Sequence, residues 1–309
     1  MASMGEVRPR VSPAARIRTY AELVKFEHSI FALPFAYLGT FLASRGWPSP
    51  RVFFWVTVAM VGARTAAMAL NRLIDAAIDA RNPRTAGRHL PAGKVSRQEV
   101  LALALVSIAV LGLAAWQLNP LCLALFPLAV FNLVIYSYTK RWTWLCHLIL
   151  GLADGWAPFG GYIAVTGRID GLALLLGVIV ALWVGAFDII YATQDYDFDR
   201  QEGLHSIPVR FGIPRALLIS RLAHALVAVL ALWVGHLAGF WPSWNPLAWA
   251  LPGWLYLGGW LILAGLLHYE HSIISPTDLS RVNTAFFNVN GYIAVGYFLF
   301  TAAAVLVAA

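Results

Sequence analysis

Nine stretches of continuous apolar sequence govern what this chain can fold into. They fall near 26–46, 52–74, 100–118, 121–138, 145–165, 171–191, 216–238, 247–267 and 286–308. A helix crosses a bilayer with about 20 apolar residues, so each run is long enough to span. The runs are continuously apolar rather than alternating, which argues against membrane strands. Hydrophobic residues fill 60% of the 309 positions and charged residues 12%, far from the balance of a water-soluble domain. The expected fold class is therefore all-α: a multi-pass membrane protein of nine transmembrane helices. Residues 1–25 read as a short cytoplasmic leader and 26–309 as one membrane domain. The first run starts well inside the chain, behind Arg8, Arg10, Arg16 and Arg18, as a retained anchor does. Cys122 and Cys146 both sit in apolar runs, so a disulfide scaffold is excluded.

The net charge of +7 does not mark a nucleic-acid binder, because the basic residues lie in short gaps between apolar runs. Eighteen of the 22 Lys and Arg residues fall in the leader and in the gaps after spans two, four, six and eight. Arg45, Arg51 and Arg168 lie on the other side, and Arg64 lies within span two. The positive-inside rule then places the N-terminus in the cytoplasm of the cell and the C-terminus across the plasma membrane.

The chain has only 15 acidic residues, and two groups of them stand out. Asn71, Asp75 and Asp79 are spaced four apart at the cytoplasmic end of span two. Asp195 and Asp199 follow span six in the stretch from Tyr191 to Asp199. On a helix, positions four apart share a face about 6 Å from each other. Like charges at that spacing destabilise an isolated helix and disfavour the bilayer edge. A hard divalent cation between them removes the conflict, and oxygen-only ligands suit Mg²⁺, completed by water and phosphate oxygens. Asp75, Asp79, Asp195 and Asp199 are thus candidate metal ligands. With Arg72, Arg84, Arg88 and Lys94 beside them they describe a diphosphate site. Asp188, seven residues before Asp195, and Asp154 are intramembrane carboxylates and candidates for function. Tyr191, Phe198 and Tyr138 are candidates to shield a cation. His28 reads as a structural hydrogen-bonder. Gly151, Gly155, Gly160 and Gly161 read as close-packing positions.

At these residues the sequence resembles the UbiA superfamily of intramembrane prenyltransferases. Asn71–Asp79 is similar to that family's first aspartate motif and Tyr191–Asp199 to its second. Lys25–Tyr37 resembles its first helix, Arg84–Gly93 the loop after the first motif, and Tyr138-Thr-Lys140-Arg141 its basic motif. The resemblance implies helices around a central cavity under a cytoplasmic cap. It implies Mg²⁺-dependent transfer of a polyprenyl group from its diphosphate to an aromatic acceptor in quinone biosynthesis. The 4-hydroxybenzoate type is the nearest look. His205–Gly212 is similar to a subgroup acting on a dihydroxynaphthoate for menaquinone, and that acceptor stays open. The implied partners are polyprenyl diphosphate, an aromatic acid and the lipid bilayer. Asp75, Asp79, Asp195, Asp199 and Asp188 would be catalytic. Asn71, Arg72, Arg84, Arg88, Lys94, Tyr138, Lys140, Arg141 and Tyr191 would bind substrate, with Arg141 on the acceptor carboxylate. Two rivals are a transporter, for which the buried aspartates would serve, and a CDP-alcohol phosphotransferase, whose leading aspartate is missing at Val61-Gly62-Ala63-Arg64.

Overall fold

The computed structural model describes residues 13–25, 29–241 and 245–309, and these form helices joined by turns and short loops. The helices are α1 (Pro13–Leu23), α2 (Ser29–Ser44), α3 (Pro50–Arg81), α4 (Arg97–Leu118), α5 (Pro120–Thr139) and α6 (Cys146–Thr166). They continue with α7 (Gly171–Ala192), α8 (Tyr196–Gln201), α9 (Ile207–Phe211), α10 (Ile213–Leu237), α11 (Leu251–Ser272) and α12 (Asn290–Ala308). Among the described residues, eight helices are long and apolar enough to cross a membrane. The first of the nine expected spans corresponds to α2, a shorter helix of 16 residues. His28 and the start of that span lie outside the described residues.

Side-chain caps fix where several helices begin. The Ser49 hydroxyl accepts from Val52 N with Pro50 in the first turn of α3. Ser96 and Glu99 close a capping box on α4. Asn119 ends α4 and caps α5 through Cys122 N, which makes a tight hairpin. Asp170 caps α7 through Leu172 N and Ala173 N.

The largest apolar core joins α2, α6, α7, α10, α11 and α12, with Trp183, Tyr256, Tyr297 and Ile293 buried at its centre. Phe54, Val106, Phe131 and Leu222 face outward and exposed, as lipid contact requires. Glycine sets the closest approaches. A Cβ on Gly151 would lie 2.0 Å from Ala181 O, and one on Gly161 2.1 Å from Ala36 O. Gly155 is similarly tight against Gly177 O at 2.6 Å. Gly160 differs from expectation: a Cβ there meets nothing within 4 Å, and the residue lines a cavity instead.

Three elements depart from the simple span picture. At 1.5 Å per residue the 32 residues of α3 reach about 48 Å, longer than a ~30 Å hydrocarbon core. The extra turns carry Asn71, Asp75 and Asp79 toward one end. α7 does not run on as one α-helix through Asp199. It tightens into a 3₁₀ turn at Thr193–Asp195, and α8 restarts at Tyr196. Thr193 is buried and donates to Ile190 O at 2.6 Å, a side-chain bond that competes with the regular ladder. Before α12 the chain makes a π-helical turn, Thr284–Val289. The leader is also more than a tail: Leu23 of α1 is buried with Ala69, Val95, Val100 and Ala104.

Candidate active site

Asp75 and Asp79 project from the last turns of α3, Asp195 from the 3₁₀ turn after α7 and Asp199 from α8. All four line one cavity of about 200 Å³. Asp75 and Asp79 are buried, and neither is left without a cation. Lys140 Nζ donates to Asp75 Oδ2 at 2.7 Å, and Arg141 Nη2 to Asp75 Oδ1 at 3.0 Å. Asn71 Nδ2 adds a bond to Asp75 Oδ2 at 3.0 Å. Arg88 Nη1 donates to both Asp79 oxygens at 2.8 Å. Arg84 grips Asp195 through both Nε and Nη2, the Nε contact being 2.9 Å. Burial works to lower the Arg84 proton affinity, but the Asp195 hydrogen bonds and charge outweigh it and raise it above its ordinary value. Among the described residues the Asp199 carboxylate forms no ion pair.

The loop after α3 reaches this site through side chain-to-backbone bonds. Asn82 is buried; its Nδ2 donates to Asp195 Oδ1 at 2.9 Å while its Oδ1 accepts from Arg84 N at 2.9 Å. Thr85 Oγ1 donates to Asp79 O at 3.0 Å. Arg81 and Glu202, paired at 2.8 Å, tie that loop to the one after α8.

A second cavity of about 890 Å³ lies deeper, with mostly apolar walls that include Met60, Leu111, Phe126, Trp183 and Phe187. Asn71, Arg84, Arg88, Tyr136, Leu150, Asp188 and Tyr191 line both cavities, so the two adjoin. Arg64 and Asp154 stand within the deeper one, 3.7 Å apart. Arg64 lies seven residues before Asn71, two turns or about 10 Å further in on the same face. Its Nε is buried and has no hydrogen-bond partner among the described residues.

The structure brings most of the expected residues together, but not all. Arg72 is buried, donates to Asn71 Oδ1 at 3.3 Å, and lines the deeper cavity. Tyr191 accepts from Arg84 Nη1 at 2.8 Å and its ring lies under the guanidinium. Phe198 and Lys140 line the smaller cavity. Lys94 does not join: it is exposed on the loop and lines neither cavity. Tyr138 lines neither; it stacks on Trp142 beneath Arg141. Arg141 is also no free fork for a carboxylate. It is committed to Asp75, to Ser137 O at 2.7 Å and to Ile74 O at 2.9 Å.

Sequence reasoning passed over Asn82, Arg64 as the partner of Asp154, and His147. His147 Nε2 accepts from Ile207 N at 3.3 Å, so its Nδ1 proton faces Asp188 Oδ2 at 2.7 Å. Asp188 is thereby oriented where the two cavities meet. Arg64 inside an apolar run was a visible signal, since an intramembrane charge implies a partner. His147 carried a weaker form of the same signal, near the start of the run 145–165.

Mg²⁺ fits the donor set. Among the described residues no three His, Cys, Asp or Glu side chains converge on one ion. The four carboxylates instead come as two pairs about one cavity, and Mg²⁺ takes one or two carboxylates with phosphate and water for the rest.

Residues 32–307 match the model of the UbiA prenyltransferase family. The chain is 32% identical to 4-hydroxybenzoate octaprenyltransferase of Aliivibrio fischeri over 86% of its length and 89% of the relative's. It is 30% identical to the protein of that name from Vibrio campbellii, over 91% and 95%. Among solved structures, the apo UbiA homolog from Aeropyrum pernix K1 aligns with TM-score 0.77 and 33% identity, over 91% of this chain and 98% of that one. A homolog from Archaeoglobus fulgidus bound to GPP and Mg²⁺ shares the fold, with TM-score 0.67 at 18% identity over 92% and 99%. With its membrane-spanning helices and two aspartate clusters, the chain belongs to the UbiA prenyltransferase family and is a multi-pass membrane prenyltransferase.

Proposed function

We propose that the protein transfers a polyprenyl group from polyprenyl diphosphate to an aromatic acceptor bearing a carboxylate, of the 4-hydroxybenzoate type, in quinone biosynthesis. The observation that carries this reading is the adjoining pair of cavities. A charged one is lined by four aspartates with Arg84, Arg88 and Lys140, and it adjoins an apolar one large enough for a prenyl chain. The relatives' names support the acceptor class. The Lys and Arg distribution supports a plasma-membrane orientation with the charged cavity and the N-terminus cytoplasmic, and the C-terminus outside.

In this reading Asp75 with Asp79, and Asp195 with Asp199, hold Mg²⁺, and Asn71 orients Asp75. Bound Mg²⁺ would supply the charge that neutralises the diphosphate oxygens. Arg84, Arg88 and Lys140, which grip the carboxylates in the structure, turn to the diphosphate when it binds, joined by Arg72. The allylic C–O bond breaks and its electron pair leaves with the diphosphate. Tyr191 and its aromatic neighbours shield the cation from water. The acceptor ring attacks beside its hydroxyl, and Asp188, held by His147, takes the ring proton.

The acceptor carboxylate is assigned to Arg64 rather than Arg141. Arg141 gives three of its N–H groups to Asp75 and two backbone carbonyls and lines neither cavity, whereas Arg64 lines the deeper cavity and its buried Nε has no hydrogen-bond partner among the described residues. The test is purified protein with Mg²⁺ and a polyprenyl diphosphate, offered 4-hydroxybenzoate and 1,4-dihydroxy-6-naphthoate side by side, with products read by mass spectrometry. Prenylated hydroxybenzoate as the major product is expected. A prenylated naphthoate alone would move the protein to menaquinone synthesis, and no prenylated aromatic product would refute the reading.

A further inference from the structure

A second polar cluster lies away from the aspartates, where α10, α11 and the start of α12 pack together. Glu270, His224, His271 and Asn290 are all buried there, Glu270 with 0% of its surface exposed. His224 Nδ1 faces His271 Nε2 at 2.9 Å and Glu270 Oε2 at 3.6 Å. Asn290 Nδ2 donates to Glu270 Oε1 at 3.1 Å, to Ala285 O at 3.0 Å and to Phe286 O at 3.3 Å. Glu270 Oε2 and Asn290 Oδ1 have no hydrogen-bond partner among the described residues. Burying such groups is costly, and an apolar pair would fill the space more cheaply. Rules broken at this cost mark a position that serves something other than packing.

What the cluster secures is the π-helical turn Thr284–Val289. That turn is wider than an α-helical one and is disfavoured on its own, and such turns gather at functional sites. The Asn290 amide bonds two of its carbonyls from within. Phe286, Phe287 and Asn290 all line the deeper cavity. The Phe286 ring lies 4.1 Å from that of Tyr191 and 5.1 Å from that of Phe187. Tyr191 in turn contacts Arg84, which grips Asp195. One run of contacts therefore leads from Glu270 through Asn290 and Phe286 to the edge of the aspartate site.

We propose that Asn290, fixed by Glu270, is a positioning residue that holds the π turn so that Phe286 closes a dry aromatic wall where the two cavities meet. The inference rests on the prenyl-transfer reading above. Its chemical consequence is partition. Once the allylic C–O bond breaks and diphosphate leaves with the electron pair, the cation bonds either to a ring carbon, giving prenylated acceptor, or to water, giving prenol; each path releases one proton. A wall that excludes water favours the ring.

The test measures prenol against prenylated acceptor with full-length protein, Mg²⁺, farnesyl diphosphate and 4-hydroxybenzoate. Asn290→Leu, Glu270→Leu and Phe286→Leu should each raise that ratio about tenfold, while the KM for farnesyl diphosphate stays within about twofold. Glu270→Gln keeps the side-chain shape and an oxygen that accepts from Asn290 and should restore most of the parent ratio. Should Asn290→Leu fail to fold, Phe286→Leu decides, because it leaves the bonds of the turn intact. A parent-like ratio in the folded Leu variants overturns the positioning role while prenyl transfer stands. Absence of any prenylated acceptor from the parent protein, with 4-hydroxybenzoate and with 1,4-dihydroxy-6-naphthoate alike, overturns the transfer reading and this inference with it.

Discussion

Each carboxylate of the candidate site has its own electrostatic surroundings, and single substitutions should separate them. Asp75 carries Lys140, Arg141 and Asn71 on its two oxygens. The spacing of Asp75 and Asp79 reads in sequence as a like-charge pair whose loss relieves strain. The structure reverses that sign, because Asp75→Ala leaves two cations without their counter-charge. Asp75→Ala should lower both thermal stability, by about 1.5–3 kcal/mol, and activity. Asp199→Ala removes no ion pair and should lower activity alone. Melting and turnover measured together check the pair, and equal melting losses would refute the distinction. Two arginines divide in the same way. Arg64→Ala should raise the KM for the acceptor by about tenfold and leave that for the prenyl diphosphate unchanged. Arg141→Ala frees Asp75 and should act on the prenyl diphosphate instead. The reverse pattern in steady-state kinetics would return the acceptor carboxylate to Arg141. Sequence spacing exposed the aspartates and Arg84 and Arg88, because charge near a membrane is rare. It could not show that Arg141 folds back onto α3 while Lys94 points to solvent, since side-chain direction in loops is set by tertiary contacts.

At the scale of elements, close helix approaches fix the walls of the cavities. Gly161→Ala puts a methyl group into Ala36 O and should cost about 1–3 kcal/mol by overpacking. Gly160→Ala, one residue away, meets open space and should melt near the parent temperature. Thermal unfolding monitored by gel filtration checks both, and equal destabilisation would contradict the packing of α2 on α6. The apolar runs made most helices legible, because continuous hydrophobic sequence has one stable form in lipid. The interruptions were not. The 3₁₀ turn at Thr193–Asp195 and the π turn at Thr284–Val289 arise from the side-chain bonds of Thr193 and Asn290, and neither leaves a periodicity to read. Nor did sequence show α1 packed over Val95 and Val100, since a basic leader reads as solvated.

For the molecule as a whole, the account requires that the loops after α3 and α8 meet on one side of the membrane. The Arg81–Glu202 and Arg84–Asp195 pairs demand it. In a background without Cys122 and Cys146, Pro83→Cys and Glu202→Cys should both react with an impermeant maleimide only from the cytoplasmic side. Labelling of either from outside would break the shared site. The central claim is that the two aspartate clusters hold one diphosphate through Mg²⁺. Calorimetry with a non-hydrolysable prenyl thiodiphosphate tests it most directly, comparing the parent protein with Asp79→Asn and Asp195→Asn, each with Mg²⁺ and with EDTA. The account predicts tight binding only to the parent and only with Mg²⁺, with each single variant weakened about tenfold or more. Binding of the same strength in EDTA, or in either variant, would contradict it.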